Sequence, residues 1–265
     1  MKKDKVFSSV IVLAAIVFLL LPIAVTFVYS ISSDWMGLIP KGLTLKNYAK
    51  LFGEKEFYRC IARTLILCIV PIGVMILSIL LALYAVVIYF PNFEKYLQVL
   101  CMIPYALQGV ILSVSILSLY TGAPLFLSNR LFMLNGAYCI MILPYMYQGI
   151  RNSMNAINMK TLLETAQMLG CGKLKAFMSI VVPNIMPGII TSSLLAFGII
   201  FGDYVLVTNL VGNAFSNVQI YLYWQMRSSS AMGSAIFMII FLVILIITGL
   251  VLFFKSKDGY QRTEA

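Results

Sequence analysis

Behind Lys2, Lys3 and Lys5 the chain enters an apolar run from about Ser8 to Ser30. A run of about 20 such residues is long enough to cross the hydrocarbon core of a bilayer. With no water there to receive backbone hydrogen bonds, it must close them within itself as a helix. A cleaved secretion signal has a shorter apolar core, about 7–15 residues, with a small-residue cleavage site. Comparable runs follow, so the sequence predicts spans at about 8–30, 61–90, 96–120, 131–150, 186–207 and 235–254. Barrel strands would instead alternate in polarity over about ten residues. Composition agrees: 62% of residues are hydrophobic and 11% charged, against about 45–50% and 25% in soluble domains. The expectation is an all-α polytopic membrane protein, with six transmembrane helices forming a single domain over 1–265.

Six spans put both ends on one side. Lys2, Lys3, Lys5, Lys95, Arg151, Lys255 and Lys257 flank span ends on that side, which positive-inside counting makes cytoplasmic. Pro71 with Gly73, Pro104 with Gly109, and Pro144 are the expected kink points within spans. Between the first two spans lies a polar segment with Trp35, Pro40 and Gly42. Its later part, Thr44 to Phe52, has the spacing of a short surface helix, with Trp35 and Tyr48 suited to an interfacial belt. A net charge of +10 suits anionic lipid head groups rather than nucleic acid. The chain has no histidine, and its cysteines (Cys60, Cys68, Cys101, Cys139, Cys171) are scattered without metal or redox spacing.

One stretch between the apolar blocks has a different character, ETAQMLGCGKLKAFMSIVVP from Glu164 to Pro183. Met159, Leu162, Leu163, Ala166 and Leu169 recur at three- and four-residue steps and mark one face of a short helix. Lys160, Glu164 and Gln167 fall on the other face. Gly170 stops that helix, because glycine takes the left-handed conformation that helix ends favour. Gly172 opens a second, with Leu174, Phe177, Ile180 and Val181 as its stripe, and Pro183 ends or kinks it. Thr161 and Glu164 also have the spacing of a capping box, a purely local role that leaves the helix free to dock.

These residues resemble the loop shared by inner-membrane permease subunits of binding-protein-dependent ABC importers. The family pattern is Glu-Ala-Ala, three residues, Gly, nine residues, Ile, one residue, Leu-Pro. Here Glu164, Thr165, Ala166, Gly170, Ile180 and Val182-Pro183 keep both gaps, with Thr165 for the second-place Ala and Val182 for Leu. The Pro, Gly, Thr-Leu, Asn-Tyr, Leu-Phe order of 40–52 is similar to the family's first outer loop. The resemblance implies the type I importer permease fold in the bacterial cytoplasmic membrane. It makes 151–183 a cytoplasmic coupling-helix hairpin that docks on an ABC ATPase dimer. It also implies a second permease subunit, a related chain, and an extracytoplasmic substrate-binding protein. The run from Phe201 to Arg227 is similar to polyamine-type (spermidine/putrescine) permeases, with iron(III) and aminoalkylphosphonate importers as relatives, so the resemblance implies a polyamine solute ahead of iron(III) or 2-aminoethylphosphonate.

For the pathway, Asp203 is the acid that falls within or at the edge of a late span. It reads either as a carboxylate attracting a cationic solute or as a helix-end contact. Tyr204, Tyr105, Gln108, Tyr145, Tyr147 and Gln148 offer aromatic faces and hydrogen-bonding ends within spans. Gly172-Lys173 is no phosphate-binding loop, since Gln167 and Leu174 stand where Gly and Ser or Thr are required. The expectation is therefore a transporter subunit without catalytic residues, cofactor or metal, with ATP and magnesium held by the partner ATPase. A self-contained carrier would need an internal coupling-ion site, for which only Asp203 offers itself. An intramembrane enzyme would need catalytic pairs that the sequence does not supply.

Overall fold

A computed structural model describes residues 2–34, 41–120, 129–157, 159–212 and 215–261. Trp35, Pro40, Gly122 and Pro124 lie outside the described residues, as does the side chain of Lys160. In chain order, helix α1 is Lys2–Ser30, followed by a hairpin of β1 (Ser32–Asp34) and β2 (Lys41–Leu43). Helices α2 (Lys46–Gly53), α3 (Lys55–Tyr89), α4 (Glu94–Met102) and α5 (Val110–Tyr120) come next. After them run α6 (Arg130–Ala156), α7 (Met159–Met168), α8 (Lys173–Ala176) and α9 (Val182–Phe201). The chain closes with α10 (Val205–Leu210), α11 (Val218–Ser228) and α12 (Ser230–Gln261). Helices dominate because the apolar runs cannot satisfy their backbones otherwise.

Among the described residues, 9–30, 55–89, 173–201 and 230–253 are long and apolar enough to cross a membrane. A bent pair, Pro91–Ala106 with Val110–Tyr120, makes a fifth candidate if taken as one span. Helix α6 has the length, 27 residues, but Asn135, Gln148 and its tyrosines leave it outside that apolar set. The protein is thus an all-α polytopic membrane fold.

Three expectations need correction. The third span, read as continuous over 96–120, is broken. Its halves are bent by 101° across a 3-10 turn, Ile103–Ala106, and Gly109 at φ +61. Glycine alone adopts that left-handed conformation freely, and Pro104 removes a helical donor. Second, of the two outcomes expected at Pro183, the helix does not end there but is distorted ahead of it. Residues Phe177–Val181 form a π turn, in which Val182 N–H reaches the Phe177 carbonyl. That wider register accommodates the proline, so 173–201 runs on as one span candidate. Third, the fifth span stops at Phe201 rather than about residue 207, with Asp203 outside it.

The chain divides into two compact units. In the first, 1–59 with 221–247, Leu51 and Phe57 are buried and the Phe57 and Tyr221 rings lie 5.9 Å apart. Glu54 accepts a hydrogen bond from the Tyr221 hydroxyl. In the second, 60–220 with 248–265, α6 is the central helix. Its face of Leu134, Ala137, Tyr138, Ile142, Met146 and Ile150 is fully buried. Helix α9 packs along it. A Cβ on Gly149 would stand 2.6 Å from Ser192 Cβ, and one on Gly188 would meet Ser153 and stand 3.1 Å from the Gly149 carbonyl. The two backbones approach so closely only because these positions are small. Arg151 at the far end of α6 grips Glu94 through Nε (3.1 Å) and one terminal nitrogen (2.8 Å), tying α6 to α4.

Candidate functional site

Two regions stand out, a turn and a hollow, both within the second unit. The turn is the one expected to couple. Helix α7 ends in a Schellman motif: Cys171 N–H donates to Ala166 O (3.0 Å) and Gly170 N–H to Gln167 O (2.9 Å). Gly170 sits at φ +78, as the sequence predicts. Leu163 and Ala166 face inward and are buried, and α7 packs on the π turn Phe177–Val181. Glu164, Thr165 and Gln167 face outward. That apolar face is not buried along its length, since Leu169 is 84% exposed beside Met168 at 88%. Leu174 and Met178 are half exposed on the second arm, where Phe177 and Val181 are buried and Ile180 partly so. An apolar patch therefore crowns the turn, away from the packed side. Thr165 donates its hydroxyl to Thr161 O at 2.8 Å, so it closes on its own helix. Lys173 lies over the Tyr89 ring (5.4 Å), and Tyr84 stands edge-on to Phe177 (5.2 Å). The arm is thus seated on the end of α3.

The hollow, about 560 Å3, opens between α6, α9 and the broken third segment. Tyr105 reaches it from the 3-10 turn that sequence reading missed. Tyr105 and Tyr145 meet edge to face at 4.9 Å. Tyr105 donates to Gln148 Oε1 (3.4 Å), and Gln108 Nε2 donates to the Tyr145 hydroxyl (3.1 Å). The break in the third segment thus brings together Tyr105, Gln108, Tyr145 and Gln148. Asn152, Ser153, Thr191 and Ser192 also line the hollow and were not anticipated. For Ser153 and Ser192 the signal is the spacing of four from Gly149 and from Gly188, a small-residue seam; Asn152 and Thr191 carry no comparable signal. No charged side chain lines the hollow among the described residues. Phenol, amide and hydroxyl groups over glycine backbone suit a small polar solute whose charges balance.

Asp203 and Tyr204 do not line it. Asp203 instead caps α10, its Oδ2 accepting from Leu206 N–H (3.1 Å) and Val207 N–H (3.3 Å). The Tyr138 hydroxyl donates to the same oxygen at 3.1 Å. Asn217 Nδ2 donates to the Asp203 carbonyl (3.2 Å), and Gln219 Nε2 to that of Phe201 (3.1 Å). Of the two readings of Asp203, this geometry favours the helix-end contact. Asp203→Asn keeps an oxygen for the cap, so solute uptake is expected within about twofold of the parent, because Asn and Asp cap equally well. Asp203→Ala loses the cap and is expected to lower stability by about 1 kcal/mol. Uptake kinetics and thermal melting of the purified protein check both.

The family described as binding-protein-dependent transport system inner membrane component matches residues 1–255. A Salmonella paratyphi A protein described as a putative 2-aminoethylphosphonate transport system permease protein PhnV is 22% identical over 188 residues, 71% of this chain and 70% of its own. A protein of the same description from Salmonella typhi is also 22% identical, over 71% of each chain. Among solved structures, a chain of a bacterial alginate ABC transporter in complex with a periplasmic protein bound to alginate pentasaccharide superposes with TM-score 0.75. It is 17% identical and covers 94% of this chain and 93% of its own. A chain of a bacterial ABC transporter importing alginate gives TM-score 0.73 at 18% identity, with 97% and 96% covered. These structures share the fold. With its family match running through residues 1–255, the chain belongs to the inner membrane components of binding-protein-dependent transport systems.

Proposed function

We propose that this chain is one membrane-spanning half of an ATP-driven importer, and that the turn at Met168–Gly170 is its contact with the motor. A second permease subunit, a related chain, completes the pathway, an ABC ATPase dimer hydrolyses ATP with magnesium, and an extracytoplasmic binding protein delivers the solute. Both termini and the α7 turn face the cytoplasm in this reading, which the basic residues at the span ends support. The observation that carries it is the family match through residues 1–255. A rigid turn with an exposed apolar crown (Met168, Leu169) supports the docking role, because a preorganised patch binds at little ordering cost.

The solute is a small amine-bearing compound, with 2-aminoethylphosphonate ahead of the polyamines. The relatives at 22% identity carry the former description. The polyamine reading leans on the likeness of 201–227, where Asp203 is already engaged in a cap. The uncharged hollow, with the Tyr105–Tyr145 pair to face an ammonium group, suits a zwitterion better than a polycation. Iron(III) would find no carboxylate among the lining residues described. A self-contained carrier loses its best ion site to the same cap.

The test is transport by the assembled importer in proteoliposomes. ATP-dependent uptake of 2-aminoethylphosphonate exceeding that of putrescine supports the reading, and the reverse order restores the polyamine assignment. Uptake of either solute by this chain without an ATPase would contradict an importer half. Tyr145→Phe, which removes a hydroxyl that lines the hollow and that Gln108 meets, is expected to lower uptake about 5- to 10-fold, the worth of one solute hydrogen bond of roughly 1–1.4 kcal/mol.

A further inference from the structure

Helix α2 is short, eight residues, and it is pinned at the ends of two span candidates. On one side, the Tyr48 hydroxyl donates to Ser30 Oγ at 2.7 Å, and Ser30 is the last residue of the first span candidate. Thr44 N–H reaches the Ile31 carbonyl at 2.7 Å, and Asn47 Nδ2 the Ser32 carbonyl at 3.4 Å. On the other side, only Glu54 separates α2 from Lys55, where the second span candidate begins. Ser30 closes a span of matching length, while the 35-residue α3 runs about 52 Å, longer than the roughly 30 Å hydrocarbon core, so Lys55 lies in the head-group layer beyond that core. A helix tied to both is held in the head-group layer.

What α2 presents there is not what a water-facing helix presents. Leu51 is fully buried, and Tyr48 is half-buried with its hydroxyl turned to Ser30. Leu45, Ala49 and Phe52, spaced by four and three residues, form an exposed apolar stripe that Leu43 extends. Lys46 and Lys50 lie one position further round the helix, and Lys55 follows at its end, all exposed. Of the acids whose side chains are described there, Glu54 accepts from Tyr221 and Glu56 pairs with Arg59 at 2.9 Å. The exposed face is therefore apolar with a basic rim, the pattern of a helix lying in a membrane surface.

We propose that α2 is an anionic-phospholipid site: the Leu45–Ala49–Phe52 stripe sinks among the acyl chains, and Lys46, Lys50 and Lys55 hold phosphates. Charge complementarity selects anionic over zwitterionic lipid, and the pinning to Ser30 and Lys55 fixes the depth. The site rests on the span ends alone, independent of which solute is carried.

The test is photocrosslinking of the full chain with benzoylphenylalanine in place of Phe52, in nanodiscs of equal phosphatidylglycerol and phosphatidylcholine and in native membranes. Adducts are identified by mass. The expected products are phospholipid adducts with phosphatidylglycerol over-represented. K50E is expected to lower the phosphatidylglycerol-to-phosphatidylcholine ratio roughly fivefold, and the triple change K46E/K50E/K55E to abolish the preference. The milder K46Q/K50Q/K55Q keeps the test valid should charge reversal disturb folding, and it too must abolish the preference. Adducts to protein without lipid in native membranes would make this face a partner-protein surface and overturn the proposal. So would a lipid ratio indifferent to the lysines.

Discussion

Replacing Gly170 with proline is expected to cut solute uptake at least tenfold while leaving the amount of protein in the membrane near the parent level. Gly170 sits at φ +78, which proline, fixed near −65°, cannot adopt. The change also removes the N–H that donates to Gln167 O at 2.9 Å, and it displaces Cys171 from Ala166 O. An ordinary side chain in the left-handed region costs about 1–2 kcal/mol, and proline at an occupied helical donor about 3 kcal/mol. The turn would reopen and Met168 and Leu169 would point elsewhere. The packed seam of α6 and α9 is untouched, so insertion and melting temperature should change little. Gly170→Ala retains the N–H and should lose only a part of the uptake. Radiolabelled uptake normalised to immunoblotted protein reads both variants, and parental uptake by Gly170→Pro would separate the turn from transport.

Gly188→Leu is expected to act on folding instead. A Cβ at 188 already runs into Ser153 and stands 3.1 Å from the Gly149 carbonyl, and a leucine adds a whole side chain at the same place. Overpacking a close seam costs about 1–3 kcal/mol, occasionally more. Here the obstacle includes backbone, which cannot swing aside, so the upper end or beyond is expected. The purified variant should melt well below the parent and accumulate poorly. Gly188→Ala isolates the Ser153 component: pairing it with Ser153→Gly should recover more than half of its loss, whereas additive losses would place the strain elsewhere. Because Gly188 also borders the hollow, uptake is compared only per folded molecule.

The residues that were legible in the sequence are those whose local chemistry leaves one choice. Gly170 and Gly172 punctuate a polar interval between apolar runs, and both turned out to be helix boundaries. Local reading fails where tertiary context decides among several tolerated outcomes. Pro22, Pro71 and Pro144 sit inside continuous helices, whereas Pro104 starts a true break, because Gly109 nearby turns left-handed. Nothing in the string distinguishes these prolines. Pro183 passed into a helix because the π turn before it supplies one wider ring. Leu169 matched the apolar period of α7 yet emerged at the surface, since the Schellman turn ends the helix there and the packing side stops at Ala166. In the hollow, Tyr105, Tyr145 and Gln148 are legible as polar groups in apolar runs. Ser153, Thr191 and Ser192 gain meaning only once α6 and α9 are known to pair.

The most direct test of the account is a pull-down of the ABC ATPase by the intact permease and by a Met168→Asp/Leu169→Asp variant. These side chains are 88% and 84% exposed and make no packing that the substitution would break. The account predicts full membrane insertion, an unchanged melting temperature, and ATPase recovery reduced at least tenfold, the loss expected when an apolar contact of about 1.5 kcal/mol or more becomes a buried charge. Undiminished ATPase recovery by the variant would contradict it.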